Sequence, residues 1–285
     1  MDSSKQNVIK TLSYFDYFDY PLTSDELLQF SETNIKSEKD FNIFLKKKNI
    51  DNSKSFYFLP NRKKIVNKRI QREKISNRKL LKAKKIIHKL SFIPTVKFIG
   101  ISGSLAMKNS NLDDDIDIFV ISQNNLVWFT RLILVLLLIT LRVYRKKNDK
   151  DTKDKICLNL IIGEKNTEFT KRRQNLYIAH EIAQLIPVFQ RENTYYDFID
   201  RNNWIFNLLP NCYSRIENYK IPFNKNKNLI NKIIIYFLNI LRVEKIARLL
   251  QWNYMKKDVT LETIENNFLA FHPIDFEKKV SRFFD

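Results

Sequence analysis

The middle of the chain alternates strongly apolar runs with helical segments, and this alternation restricts the fold more than any other feature. The runs 96–102, 116–121 and 156–162 are short, rich in Ile and other apolar residues, and bounded by polar or turn-forming residues. Such runs predict strands that are buried on both faces. The segments between them, near 104–109 and 125–142, predict helices. A buried sheet connected by helices places this part of the chain in the α/β or α+β class.

Residues that can bind a ligand follow the first predicted strand and begin the second. Gly103 has no Cβ, so backbone can approach a ligand closely there, and Ser104 begins a short helix whose N–H groups suit an anion. Asp115 and Asp117 stand two residues apart on a strand, so their carboxylates point to one face. Two adjacent carboxylates repel unless a cation lies between them, and Mg²⁺ or Mn²⁺ prefers oxygen ligands. Lys108 would add positive charge nearby.

The order of these motifs resembles the polymerase-β-like nucleotidyltransferase superfamily, especially its minimal bacterial members. The shared pattern is hydrophobic-Gly-Ser, a spacer, and then Asp-hydrophobic-Asp-hydrophobic, and the match is specific over 95–122. The resemblance implies that Gly103, Ser104 and Lys108 bind the phosphates of a nucleoside triphosphate, with ATP the expected one. It also implies that the two aspartates are catalytic residues and ligands of Mg²⁺ or Mn²⁺.

The implied reaction transfers a nucleoside monophosphate to an acceptor and releases pyrophosphate. The acceptor can be a small molecule, a protein or RNA. Members of the superfamily usually carry a third carboxylate on the next core strand, and here Asn159 stands where that acid is expected. An amide cannot act as a base and binds metal only through its neutral oxygen. Glu164 or Asp154 could serve from a nearby loop, or the acceptor could react without a local base.

The first 60 residues predict a small helical domain that ends in a strand. The predicted helices cover 7–18, 24–30 and 38–48, and the predicted strand covers 55–59. Three short helices followed by a β segment resemble a winged helix-turn-helix domain. With this resemblance, the expected organisation is a winged-helix-like domain over 1–60, a basic connector helix over 61–94, a nucleotidyltransferase-type mixed-sheet core over 95–200 and a helical C-terminal region over 201–285.

The charge balance favours a polyanionic partner. The chain carries 50 Lys and Arg residues against 31 Asp and Glu residues, a formal charge of +19, which favours nucleic acid, nucleotides or an anionic membrane. Many cations lie on the predicted basic helix, and others, at Lys39, Lys46 and Lys47, lie on the third predicted helix. Codon drift in an AT-rich genome and a solvated connector helix explain the same charges without any partner. The alternative function is therefore a catalytically weak or inactive regulator that senses nucleotide and binds DNA.

The remaining patterns concern location. The start of the chain lacks the apolar run of a signal peptide, and two cysteines do not predict a disulfide framework, so we expect a cytoplasmic protein. The apolar stretch 126–141 contains Arg131 and is too short on either side of it to span a bilayer, so we expect no integral membrane span. The basic run 142–150 leaves a peripheral membrane contact open.

The last part of the chain predicts mainly helices, over 172–186, 195–208, 228–251 and 261–269. His180 and Glu181 form its only adjacent pair of a histidine and an acid. Neighbouring residues on a helix point about 100° apart, so this pair does not predict a metal site. We interpret His180 as a surface histidine or as a core histidine whose polar atoms are hydrogen-bonded, with a role in binding or deprotonating the acceptor as the alternative.

Overall fold

The first part of the chain folds as three helices followed by a two-stranded antiparallel sheet. The structure is a computed structural model that describes residues 3–35, 37–48, 50–146, 149–219, 221, 228–256 and 263–271. The elements are α1 (Ser3–Asp16), α2 (Ser24–Gln29), α3 (Glu38–Lys47), β1 (Asn52–Ser53) and β2 (Phe56–Tyr57). Thr23 begins α2 with a reciprocal capping pair, in which its hydroxyl accepts from Glu26 N and the Glu26 carboxylate accepts from Thr23 N. The three predicted helices are confirmed.

A helix of 26 residues, α4 (Ile65–Leu90), confirms the long basic helix predicted in this part of the chain. Two of its cations are buried, since Arg69 and Lys79 are each only 3% exposed. Arg69 donates to Glu26 Oε1 at 2.8 Å, and Lys79 Nζ lies 3.4 Å from Asp154 Oδ1. These inward cations hold α4 against α2 on one side and against the loop before the third central strand on the other.

The three predicted central strands are confirmed. β3 (Val96–Ile101) pairs antiparallel with β4 (Ile116–Ser122), and β4 pairs parallel with β5 (Ile156–Gly163). The short helix α5 (Gly103–Ala106) follows β3, and α6 (Val127–Thr140) follows β4. Every residue of β3 is buried, and on β4 only Asp117 is less than fully buried. The apolar runs therefore form strands covered on both faces.

Three further strands complete this sheet at its two sides. β6 (Ile186–Gln190) pairs antiparallel with β3, and beyond β5 lie β8 (Phe268–Ala270) and then β7 (Thr263–Ile264). The order is β6-β3-β4-β5-β8-β7, a mixed sheet of six strands, which with the small β1-β2 sheet and the helices gives a mixed α/β fold.

Two of the helices predicted near these strands are wrong in part. The helix predicted over 261–269 is contradicted wherever the structure describes it, because 263–264 and 268–270 are strands. The helix predicted over 172–186 is reduced to α7 (Leu176–Gln184). The chain then turns into β6, whose Pro187 suits an outer strand because proline has no N–H to give to a second neighbour.

The helices between β6 and β7 are shorter than their apolar periodicity predicts. They are α8 (Thr194–Arg201), α9 (Ile205–Leu208), α10 (Tyr213–Glu217), α11 (Asn228–Ile240) and α12 (Val243–Met255). The single helix predicted over 228–251 is broken at Arg242, which has a left-handed φ of 51°. α11 and α12 therefore form a hairpin, called the α11–α12 hairpin below.

Alternate residues of the central strands contribute to two hydrophobic clusters. Phe98 and Phe119 belong to the cluster that also contains Phe15 of α1. Ile99 belongs to the other cluster, which contains Trp128 of α6. The N-terminal helices thus share a core with one face of the sheet, and α6 covers the opposite face.

Helix α6 corresponds to the apolar stretch 126–141, the segment most similar in composition to a membrane span. Trp128, Leu134 and Leu138 are at most 1% exposed, whereas Leu136 and Ile139 are 51% and 48% exposed. The stretch is therefore a helix that is buried along one side, as predicted in part, and partly exposed on the other. None of the helices in the described ranges combines the length and the apolar character needed to cross a bilayer.

Candidate functional site

The Gly-Ser turn and the strand that carries the aspartates meet closely. Ser102 N donates to Asp117 O at 3.0 Å, which fixes the end of β3 against the start of β4. Gly103 follows with a left-handed φ of +62°, and a Cβ built on it would lie 2.7 Å from Asp117 Oδ2. Only glycine suits both the backbone conformation and the approach of this carboxylate. The structure therefore brings Gly103 and Asp117 together, as the motif order predicts.

The two carboxylates lie on one face with a third polar side chain. Ligand atoms of Asp115, Asp117 and Cys157 all lie within 4.8 Å of one another, and no other such group of His, Cys, Asp and Glu occurs among the described residues. Cys157 is paired with Asp117 in the parallel register of β4 and β5. The predicted proximity of the two aspartates is confirmed, and Cys157 is an addition that the motif did not predict.

Asn159 does not occupy the place beside the aspartates. The register of the two parallel strands passes from Ile118 opposite Leu158 to Phe119 opposite Leu160, so Asn159 is an extra residue at a bulge. Its carbonyl oxygen accepts a hydrogen bond of 2.9 Å from the backbone N–H of Phe271, the residue that follows β8. The position in register with Asp117 belongs to Cys157, and Asn159 lies two residues further along β5.

Arg145 brings a positive charge to this cluster. Its Nε lies 2.9 Å from Asp115 Oδ2, and its Nη1 donates to Cys157 Sγ at 3.4 Å. A hydrogen bond of 3.1 Å from Arg145 N to Ile156 O fixes the backbone beside β5. Sequence reasoning missed Arg145 because it stands in a charged segment, and only an isolated parallel bridge between Tyr144 and Ile156 places that segment next to the strand.

The thiol of Cys157 is held in its neutral form. Burial, together with the negative charges of Asp117 and Asp115, raises the pKa of Cys157, and the hydrogen bond from Arg145 only partly opposes this. A protonated thiol is neither an anionic ligand nor a base. The oxygen atoms of Asp115 and Asp117 are therefore the donors that fit a hard divalent ion such as Mg²⁺ or Mn²⁺.

The two other predicted phosphate-binding residues, Ser104 and Lys108, have different surroundings. Ser104 directly follows Gly103, is half-buried, and its carbonyl accepts from Asn109 N at 2.8 Å. Lys108 Nζ lies 3.6 Å from Glu73 Oε1 on α4. Lys108 also lines a cavity of about 270 Å³, whose polar walls include Tyr20, Glu26, Arg69, Gln184 and Arg215. The lysine side chain therefore points toward α4 and this cavity, where Glu73 is its ion-pair partner.

The two acids considered as substitutes for Asn159 are engaged elsewhere. Glu164 follows the far end of β5 from Cys157, which at about 3.3 Å per residue places it on the order of 20 Å away. It accepts from Gln123 Nε2 at 2.6 Å. Asp154 lies at the near end, where burial opposes ionisation but the ammonium groups of Lys82 and Lys79 prevail and lower the pKa of Asp154. Glu164 thus lies too far away to act at the cluster, and Asp154 is tied to α4.

The cations proposed to face DNA lie on the solvent side of α3. Lys39, Lys46 and Lys47 are exposed, while Phe41 and Leu45 on the same helix are buried in the core shared with the sheet. The exposed side of α3 therefore carries three cations, together with the carboxylate of Asp40 and the side chain of Ile43, which is 54% exposed.

His180 is a core residue. It is 2% exposed, its ring stacks on Tyr14 with centroids 4.0 Å apart, and the rings of Phe15 and Phe30 lie 5.2 and 5.4 Å away. Burial lowers the pKa of His180 to about 3. The expected core position is confirmed, whereas the expected hydrogen bonding is not, because the Nδ1 atom is buried without a hydrogen-bond partner among the described residues.

Comparison of the chain with protein-family models, with curated proteins and with solved structures finds no match. The geometry around Gly103 and the two aspartates is therefore the basis for any assignment of function.

Proposed function

We propose that the protein binds a nucleoside triphosphate together with Mg²⁺ or Mn²⁺ at the Gly-Ser turn and transfers the nucleoside monophosphate to an acceptor. One observation carries the proposal: the Gly103 Cα faces the Asp117 carboxylate so closely that no side chain fits between them. A glycine backbone and two carboxylates on one face form a place where phosphates and a divalent ion can meet. The resemblance to the polymerase-β-like nucleotidyltransferases supports the same assignment.

Each residue of the site has a role in this proposal. Asp115 and Asp117 would hold the ion, which when bound neutralises negative charge on phosphate oxygens. The Ser104 hydroxyl donates to a phosphate oxygen, and the guanidinium of Arg145 beside Asp115 limits the repulsion between the two carboxylates. The chain's contribution is mainly to position the triphosphate and to screen its charge.

The expected chemistry of the acceptor follows from the place on β5 where a third carboxylate would be expected. Neither the protonated thiol of Cys157 nor the amide of Asn159 can take a proton from an acceptor. The proposal therefore favours an acceptor that is already anionic at neutral pH, such as a phosphate or a carboxylate, over an unactivated hydroxyl.

Binding of a non-hydrolysable ATP analogue tests the proposal without knowledge of the acceptor. Calorimetry with Mg²⁺ is expected to give saturable binding that disappears when the divalent ion is chelated. Asp115→Asn and Asp117→Asn keep the side-chain shape but remove the charge, and each is expected to weaken binding by at least about tenfold because a hydrogen-bonded charge contact contributes about 1.5–3 kcal/mol. Asp113→Asn, an exposed position on the same loop, is the matched control and is expected to bind normally.

Two results would reject the assignment. One is the absence of magnesium-dependent affinity for each of ATP, GTP, CTP and UTP. The other is an equal loss of affinity in Asp113→Asn and Asp117→Asn, which would mean that the loss reflects overall charge and not the site.

A second candidate function is a regulator that binds nucleotide without turnover and reads DNA through α3. Two observations favour it: Lys39, Lys46 and Lys47 are exposed on α3, and the position on β5 in register with Asp117 carries no acid. Mobility shifts with genomic fragments are expected to weaken as salt rises, and Lys46→Gln with Lys47→Gln is expected to reduce binding more than the equally charged exposed pair Lys165→Gln with Lys171→Gln. Binding that ignores salt, or equal losses in the two pairs, would exclude this candidate.

A further inference from the structure

The α11–α12 hairpin exposes far more apolar surface than any other part of the described chain. Of 22 large hydrophobic side chains that are exposed among the described residues, 13 lie between 228 and 256. They are Leu229, Ile230, Ile233, Ile234, Tyr236, Phe237, Ile240, Leu241, Ile246, Leu249, Leu250, Trp252 and Tyr254. A protein that remains free in water rarely exposes a contiguous apolar patch of more than a few hundred Å². The hairpin therefore has the surface of a docking element.

The packing of α12 turns this apolar surface outward. Ala247 and Gln251 are buried against α6, and Gln251 Nε2 donates to Trp128 O at 2.8 Å. The Glu244 carboxylate accepts from the first N–H groups of α6, those of Trp128 and Phe129, each at 2.9 Å. α12 is thus attached to the protein by its polar and small residues, and its large apolar residues remain on the solvent side.

The exposed charges of the hairpin are all positive. Its cations are Lys232, Arg242, Lys245, Arg248 and Lys256, all exposed. Glu244 is the only acid between 228 and 256, and it is the residue that faces α6. The outer surface of the hairpin therefore combines large apolar side chains with five exposed cations, of which Arg248 interacts with Glu244.

We propose that the α11–α12 hairpin lies flat on an anionic membrane surface. Its apolar side chains enter the boundary between headgroups and acyl chains, and its cations contact lipid phosphates. An interfacial helix of this kind needs an apolar face, cations beside it, and aromatic residues at the level of the headgroups. Tyr236, Phe237, Trp252 and Tyr254 supply the aromatic residues.

Charge complementarity favours this occupant over a second copy of the chain. Two hairpins packed face to face would set five cations of one copy against five of the other, on a chain whose formal charge is already +19. Like charges opposed across an interface weaken association, whereas anionic headgroups complement the same cations.

Vesicle flotation of the full-length protein tests the apolar part of the proposal. The protein is expected to float with vesicles that contain phosphatidylglycerol and to bind vesicles of phosphatidylcholine alone much more weakly. Phe237→Ser combined with Leu250→Ser is expected to lower the partition coefficient more than tenfold, since each removes an apolar side chain that the lipid would bury. The control is Leu81→Ser on α4, where the leucine is 65% exposed and lies outside the hairpin.

A charge-matched pair of variants tests the electrostatic part. Lys245→Gln with Lys256→Gln is expected to reduce binding to anionic vesicles about 25-fold, because one cation at such a surface contributes about fivefold. Lys84→Gln with Lys85→Gln changes the net charge equally but on exposed positions of α4, and is expected to have little effect.

The possible results separate the occupants. Anionic-vesicle binding that falls in the hairpin variants and not in the controls supports the proposal. Equal losses in both lysine pairs, equal binding to neutral and anionic vesicles, or no vesicle binding at all would overturn it. It would also be overturned by a dimer in sedimentation analysis that Phe237→Ser with Leu250→Ser dissociates, because the second copy would then be the occupant.

Discussion

Helices α6 and α11 have similarly apolar sequences and different surroundings. α6 lies between the sheet and α12, so Trp128, Leu134 and Leu138 are at most 1% exposed. On α11, Leu229 is 73% exposed and Ile240 is 56% exposed. Apolar composition sets how much free energy a helix gains when its surface is buried. Whether that surface is buried within the chain depends on whether another element packs against it.

The largest expected contrast is between a leucine of α6 and a leucine of the α11–α12 hairpin. Leu134→Ala leaves a cavity under the sheet and is expected to lower the free energy of unfolding by about 2–5 kcal/mol. Leu250→Ala removes a side chain that is 60% exposed and is expected to change it by less than about 0.5 kcal/mol. Urea unfolding followed by circular dichroism measures both. Similar losses would mean that the hairpin is covered by another part of the protein.

Titratable groups show the same contrast between exposed and buried positions. The charged groups of the hairpin face water, whereas His180 is enclosed by aromatic rings. The folded-state pKa of His180 is lowered to about 3 from 6.5, so the unfolded state binds more protons between these values. Stability is therefore full above pH 6.5 and is lost as the pH falls below it. At pH 5 this histidine is expected to cost about 2 kcal/mol.

His180→Phe keeps an aromatic ring in the stack and removes the titration. Urea unfolding of this variant at pH 7 and pH 5 is expected to show a difference about 2 kcal/mol smaller than in the natural protein. His88→Asn, at an exposed position of α4, is the control and should retain the full difference. Indistinguishable pH profiles for all three proteins would show that burial does not suppress the protonation of His180.

The centre of the sheet could be predicted from the sequence, and its edges could not. β3, β4 and β5 are covered on both faces, so each is a recognisable apolar run. β6 contains a proline, and β8 has three residues that pair with β5 through Leu160, Ile161 and Ile162. The conformation of a short outer strand depends on the strand with which it pairs. The local sequence pattern does not predict which strand that is.

The candidate site divides in the same way. Asp115, Asp117 and Gly103 come from neighbouring segments whose strand and turn are readable locally. Cys157 reaches the cluster through the register of two parallel strands, and a bulge at Asn159 changes that register. Arg145 depends on a single bridge beside β5. Residues placed by pairing between distant segments were therefore the ones that the sequence did not predict.

Two positive φ angles extend the comparison to the backbone. Gly103 has a φ of +62° beside Asp117, and Arg242 has a φ of 51° in the exposed hairpin turn. Gly103→Ala is expected to destabilise the protein by about 1–2 kcal/mol through left-handed strain, and its Cβ must also displace the Asp117 carboxylate. Arg242→Gly relieves the same kind of strain in the open and is expected to stabilise the protein by up to about 1 kcal/mol.

Gly103→Asn separates strain from contact, because asparagine tolerates the left-handed region better than alanine but carries the same Cβ. Chemical denaturation should rank Asn above Ala in stability. Nucleotide affinity should fall equally in both, since both move Asp117. Normal affinity in either variant would contradict the close approach of Gly103 and Asp117.

The last expected effect concerns the turn between β7 and β8, which contacts the segment that leads into α6. Asn267, in the turn between β7 and β8, accepts from Asn125 N at 3.2 Å through its side chain and from Gly163 N at 2.9 Å through its carbonyl. Asn267→Ala removes the side-chain hydrogen bonds to Asn125, both this one and a longer one of 3.5 Å from Asn267 Nδ2 to Asn125 Oδ1, and keeps the backbone bond. Because both lost bonds are exposed, the loss is expected to be about 0.5–1 kcal/mol. The loss should be local, because β3, β4 and β5 keep their own partners. Hydrogen exchange is then expected to rise at Phe268 and Leu269 and to stay unchanged along β3, whereas a uniform rise would mean that the outer strands unfold together with the centre and not before it.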